Sequence, residues 1–354
     1  MKQTKLFRYS LIILCTLSIH AFANEQNTDR EKKIIKNYSV SNNDKLNIEN
    51  EYGQVTVNTW DKNEVNVEVT VMSNAGTESK TQEILESVNI SETRAGGSIY
   101  LKTLIRASNF KAGKSSLKVN YNISVPAWLS MNIVNKFGNV YLPSLTGNLQ
   151  LKVTYGNIKA GKLLGSSEKR IEVSFGAADI DEVENLSIES KYSKLNIDKI
   201  NKAEIQNAFG KTVIQEANSL RVTQKYGDLD LRKVNTLVAT IEFSNVDLDF
   251  IGKSADLNLK YSGNAELGTI SSSVELLKVN ASFSTVYMKF DETANLDFDA
   301  HLKFGDLKLN NRYMKDYVKS TKDNTNNYDY KGKIGNGSGG NLMITTSYTT
   351  VYLQ

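Results

Sequence analysis

The sequence predicts an all-β fold: a single-stranded parallel β-helix or β-solenoid of about twelve short rungs, with a small N-terminal cap containing one helix. Three observations predict it. An aromatic followed by Gly, Ser or Thr recurs at Tyr52, Phe137, Tyr155, Phe175, Tyr192, Phe209, Tyr226, Phe243, Tyr261, Phe283, Phe304 and Tyr348, and from Phe137 to Tyr261 the steps are 18, 20, 17, 17, 17, 17 and 18 residues. The residues three and five places after the aromatic are mostly apolar, as in Leu229 and Leu231 after Tyr226, with polar residues between them; this is the period-2 alternation of a strand with one buried face. The chain of 354 residues holds only 2 prolines, as a long strand ladder demands.

Taken in order, residues 1–23 read as a signal peptide. Lys2, Lys5 and Arg8 form a charged start, Leu11 to Ile19 a short apolar core, and Ala21-Phe22-Ala23 a small-x-small cleavage site. The apolar run is too short to span a membrane, and no second hydrophobic span follows. Residues 24–128 form an N-terminal capping region of strands, in which Val55 to Val69 reads as strand, turn, strand. Within it, residues 78–89 carry Ile84, Leu85 and Val88 at helical spacing behind Thr77 and Ser79, which predicts one amphipathic helix. A polar loop is expected over 106–116. Residues 129–354 form the solenoid, interrupted by a long loop over 311–340 and closed by a last rung, 341–354.

Each repeat reads as strand, bend, strand, loop. The Gly or Ser of the bend fits a corner that needs either a positive φ or a small side chain. The aromatic beside it is placed to stack on its equivalent one rung away. Rings alternate Tyr and Phe from Tyr155 to Phe283, so a turn of 17 residues and one of 34 both stay open, the shorter being favoured. Two repeats depart from the pattern: Thr212 occupies an inward site after Phe209, and Tyr261 is followed by a one-residue bulge before Leu267.

Composition narrows the function. The formal net charge is +4, and the leader carries three of the positive residues, so the rest is close to neutral and gives no reason to expect a nucleic-acid partner. Cys15 lies in the leader, which leaves no thiol chemistry beyond it, and His301 is the one histidine outside the leader. His301 with Asp299 on one strand face is a thin candidate for hydrolase chemistry, lacking a nucleophile motif. The acidic face Asp228, Asp230, Asp247 and Asp249 places Asp230 and Asp247 in one column of adjacent rungs, where a Ca²⁺ ion could offset the repulsion; the neighbours Lys225, Arg232 and Lys233 could offset it equally. Tyr141, Tyr287 and Tyr352 share an outward column that could stack sugars. Lys191, Lys225 and Lys260, each preceding a Tyr, could form a basic ladder.

The opening Glu51-Tyr52-Gly53-Gln54-Val55-Thr56-Val57 with Trp60-Asp61, the run Tyr121 to Pro126 followed by Asn135 to Val140, and the Gly-rich 335–340 before a closing strand pair resemble the bacterial putative-adhesin family of exported β-helix proteins, related to the auto-transporter adhesin head domain family. The resemblance covers about residues 34 to 354 and implies a cell-envelope or surface location with no catalytic residue set. The expectation is a non-enzymatic, adhesin-like envelope protein without cofactor, in the periplasm, envelope or cell surface. Its partner would be a surface or envelope component, protein or glycan, and its terminal rung would offer an edge for oligomerisation. The alternatives are a glycan-binding or glycan-cleaving β-helix protein using the acidic face, and an envelope-stress accessory protein.

Overall fold

The computed structural model describes residues 29–106, 115–310, 317–321 and 326–354; the expected leader, with Cys15, lies outside them. The described chain is nearly all β, with one helix, and its strands form one large sheet of 26 strands that does not close on itself. It is solenoid-like. In its regular middle the strands Ala177–Lys191, Lys194–Ala208, Lys211–Lys225 and Asp228–Glu242 lie side by side and parallel. Leu195 pairs with Thr212 and Ile205 with Val222, so one turn takes 17 residues, not 34. Inward residues fill the interior: Leu229, Leu231, Val234, Leu237 and Ile241 are each at most 1% exposed. Each such side chain contributes roughly 1.5–3 kcal/mol by leaving water.

The corners differ in one respect from the expectation. The positive φ belongs to the aromatic itself, at all twelve positions, with values from 50° at Tyr348 to 62° at Tyr52. The small residue after it is small for a different reason: its neighbour in the stack is too near. A Cβ at Gly138 would stand 1.9 Å from the carbonyl oxygen of Gly53, and one at Gly210 would stand 1.9 Å from that of Ser193. At four of the five corners where Ser or Thr replaces Gly, the hydroxyl becomes a link between rungs, Ser262 being the exception. Ser193 Oγ donates to the Lys191 carbonyl and accepts from the Gly176 N–H; Ser244 and Thr349 repeat the arrangement.

Three polar residues that enter the interior together are bonded to one another there. Asn207 Nδ2 donates to Thr212 Oγ1, which donates to Gln224 Oε1, while Gln224 Nε2 donates to the Gly210 carbonyl. This network is why Thr212 is tolerated at a buried site. Near the N-terminal end, Asn135 Nδ2 donates to the carbonyls of Gly53 and Gly138, tying two corners together. After Tyr261 the inward residues are Ala265 and Leu267, one place later than in other rungs.

Both ends of the stack reverse the chain order. The first corner rung, Lys45–Glu51 with Val55–Thr59, is sandwiched between Ser98–Ile105/Ser116–Val125 on one side and Ser130–Lys136/Val140–Leu142 on the other. Antiparallel strands then extend that end: Val88–Ala95 on Ser98–Ile105, and Glu64–Asn74 with Arg30–Ser39 on Ser116–Val125. The strands 55–59 and 64–74, expected as a hairpin-like pair, thus pair with other partners. The helix runs Glu78–Ser87, capped by Thr77, and buries Thr81, Ile84 and Leu85.

The other end mirrors this. The expected last rung is the second to last in space: Gly340–Ser347 and Thr350–Leu353 insert between Leu276–Ser282/Thr285–Phe290 and Leu296–Lys303/Asp306–Leu309. The segment 311–340, expected as a loop, holds the strands Tyr317–Thr321 and Asn327–Ile334, which form an antiparallel hairpin lying on Leu296–Lys303. The rung 341–354 is therefore no bare end for a partner strand, because it is hydrogen-bonded on both edges.

Candidate functional site

The corner φ turns each aromatic side chain outward, and the 17-residue turn stacks it on the next. All twelve rings join one ladder, with centroids 4.8–5.2 Å apart and planes within 12° of parallel. The insertion of the last rung places Tyr348 between Phe283 and Phe304. As a result Tyr and Phe alternate without a break from Tyr52 to Phe304, although the chain order puts Phe283 directly before Phe304. From Phe137 onward the ladder residues are 45–53% exposed. Stacking covers the ring faces, so the surface sees ring edges and, every second rung, a phenol hydroxyl.

The acidic face exists, and three of its four carboxylates, Asp228, Asp230 and Asp249, have partners. Asp230 and Asp247 are register partners. Lys211 Nζ lies 2.5 Å from Asp230, Arg232 lies 2.7 Å from Asp249, and Asn245 donates to Asp228 at 3.1 Å. The bond to Asp230 raises the Lys211 ammonium above its ordinary range, and that to Asp249 does the same for Arg232. Of the counter-charges expected from sequence, only Arg232 serves here; Lys225 bonds Glu242 at 2.9 Å and Lys233 bonds Glu216 at 3.3 Å. Among the described residues no group of three or more His, Cys, Asp or Glu is placed to hold a metal ion.

His301 is bracketed by carboxylates. Its Nδ1 lies 2.6 Å from Asp329 on the hairpin strand and its Nε2 lies 3.3 Å from Asp299, which also meets Lys331 at 3.0 Å. Through Nδ1 the ring ties the hairpin to the end rung. Tyr287 and Tyr352 stack on each other at 4.7 Å, whereas Tyr141 lies on a distant rung, in register with Thr56 and Lys159. The expected basic ladder is broken, since Glu242 sits in register between Lys225 and Lys260.

Sequence reasoning missed a shallow depression on the face formed by the strands that precede the corners. Asn132, Gln150, Lys152, Arg170, Glu172 and Glu189 line it. It draws on four successive rungs, so its register partners are 17–20 positions apart and no local motif marks them. It also missed a column of alternating charge, in which Lys162, Glu182, Lys199, Glu216 and Lys233 follow one another rung by rung. Lys162 meets Glu182 at 2.9 Å. From Glu182 onward the signal was present as a 17-residue spacing of opposite charges.

No family model matches the chain, and no curated protein matches it. Among solved structures it is similar to a putative cell adhesion protein from Clostridium sporogenes ATCC 15579, at 11% identity over 92% of this chain and 99% of that one, with a TM-score of 0.24. A putative adhesin from Parabacteroides merdae ATCC 43184 matches at 13% identity over 72% of this chain and 95% of that one, with a TM-score of 0.35. A putative lipid binding protein from Parabacteroides distasonis ATCC 8503 matches at 9% identity over 91% and 96%, with a TM-score of 0.28. Likenesses this distant assign neither a family nor an activity to the chain.

Proposed function

We propose that this chain is an exported, non-enzymatic protein of the cell envelope that binds a surface component in the manner of an adhesin, on a single-stranded parallel β-helix of about twelve rungs. The observation that carries this reading is the long, rigid outer surface, whose charged side chains pair with one another across rungs. Such a surface is preorganised to meet an extended polar partner and needs no ordering on contact. The depression around Lys152 and Arg170 places donors and acceptors side by side on it. The glycan-cleaving alternative would use an acidic face in which Lys211 and Arg232 already hold Asp230 and Asp249. The leader-like 1–23 supports export.

Two measurements test the reading. A tag placed near residue 325 in intact cells should be removed by added protease without lysis; protection until lysis would move the protein to an internal envelope role. Purified chain should then bind whole envelopes or their glycan fraction, and Lys152→Ala with Arg170→Ala should weaken that binding about tenfold or more. Binding unchanged by the pair would remove the depression from the proposal.

A further inference from the structure

We infer that the aromatic ladder is the docking surface for a second copy of this chain, with the two ladders packed face to face and antiparallel. The ladder is outside the core. Each ring sits at a positive φ that bulky L-residues avoid. Eleven of the twelve ladder residues are 45–53% exposed. At roughly 100 Å² of exposed surface each, they form a stripe of about 1,100 Å². A typical monomer's largest apolar patch is about 300–600 Å², and a stable interface takes about 800 Å² from each partner.

The flanking residues say which partner fits. Consider a twofold axis between Phe209 and Tyr226, the two central rings, so that the first ring of one copy meets the last of the other. Every Tyr then faces a Phe. On the flank just before the corners, Glu51 faces the second copy's Lys303 and Lys191 faces its Glu242. On the flank just after them, Lys211 faces Asp228. No like charges oppose one another on either flank. Sliding by one rung one way sets Lys191 against Lys225 and Lys211 against its own copy. Sliding the other way sets Lys225 and Asp228 each against its own copy. A parallel pairing sets Lys191 against Lys194. Of the four arrangements, the central antiparallel one alone sets no like charges directly opposite one another.

Glu51 and Lys303 stand at opposite ends of the ladder, about 55 Å apart within one chain, so only a second copy can couple them. Lys303 is exposed beside the ring of Phe304, and Glu51 is part-exposed beside Lys136. The test is the mass of the purified full chain by light scattering and sedimentation at micromolar concentration, with folding checked by circular dichroism. The wild-type chain should be a dimer. Lys303→Glu should raise the dissociation constant about tenfold, since two exposed pairs per dimer become repulsive. Adding Glu51→Lys to that variant should restore dimerisation. A wild-type monomer at these concentrations overturns the inference. So does a dimer that Lys303→Glu leaves unchanged, or a double variant no tighter than Lys303→Glu alone.

Discussion

At the scale of the residue, the corner is a division of labour between two neighbours. The aromatic takes the strained backbone, a cost of about 1–3 kcal/mol, and recovers about 0.5–1.5 kcal/mol from each ring it stacks on. The next residue keeps its side chain small so that the rungs can close to hydrogen-bonding distance. Gly138→Ala should therefore cost about 3 kcal/mol or more in denaturant unfolding, since its Cβ would meet backbone at 1.9 Å rather than a flexible side chain. A loss under about 1 kcal/mol would show that the rungs can part without penalty.

At the scale of the element, the two ends are each locked by a rung out of chain order. The rung Gly340–Leu353 carries the end rung 296–309 and the hairpin behind it. Because each turn contacts only its neighbours, damage there should stay local. Ile344 is 1% exposed, so Ile344→Asp buries an unpaired charge. Hydrogen exchange should then lose protection across residues 276–309 and 327–353, while the strands 45–59 and 130–163 keep theirs. Loss of protection along the whole stack would mean that the fold unfolds as one unit and would remove the idea of an independent end.

At the scale of the whole molecule, the surface charges act together through pH. Hydrogen bonds from Lys162 and Lys225 hold Glu182 and Glu242 below the usual carboxylate range, Lys36 does so for Glu92, and the Ser41 backbone N–H does so for Asp44. Each of these groups binds its proton more weakly folded than unfolded. Their contribution is complete above the unfolded carboxylate range, about 4–4.5, and is lost as the pH falls through the depressed folded values. Thermal unfolding followed from pH 7 to pH 3 should show a falling midpoint below about pH 4.5; a midpoint that stays level or rises would contradict the ion-pair assignments.

The sequence by itself determined the repeat, its strands, the corner positions, the helix and the alternation of inward and outward residues. All of these are local and periodic: an apolar residue every second place and a ring every 17 leave a mark wherever they occur. Tertiary structure decided what depends on lateral neighbours. Lys211 rather than Lys225 meets the acidic face because pairing runs between rungs, and the reach of a side chain across them is not written in its spacing. The hairpin over 317–334 was hidden because its strands are short and polar and gain their partner only from the end rung. The unbroken Tyr and Phe ladder is the clearest case. In chain order it fails at Phe304, and only the insertion of the rung bearing Tyr348, between two rungs already formed, restores it.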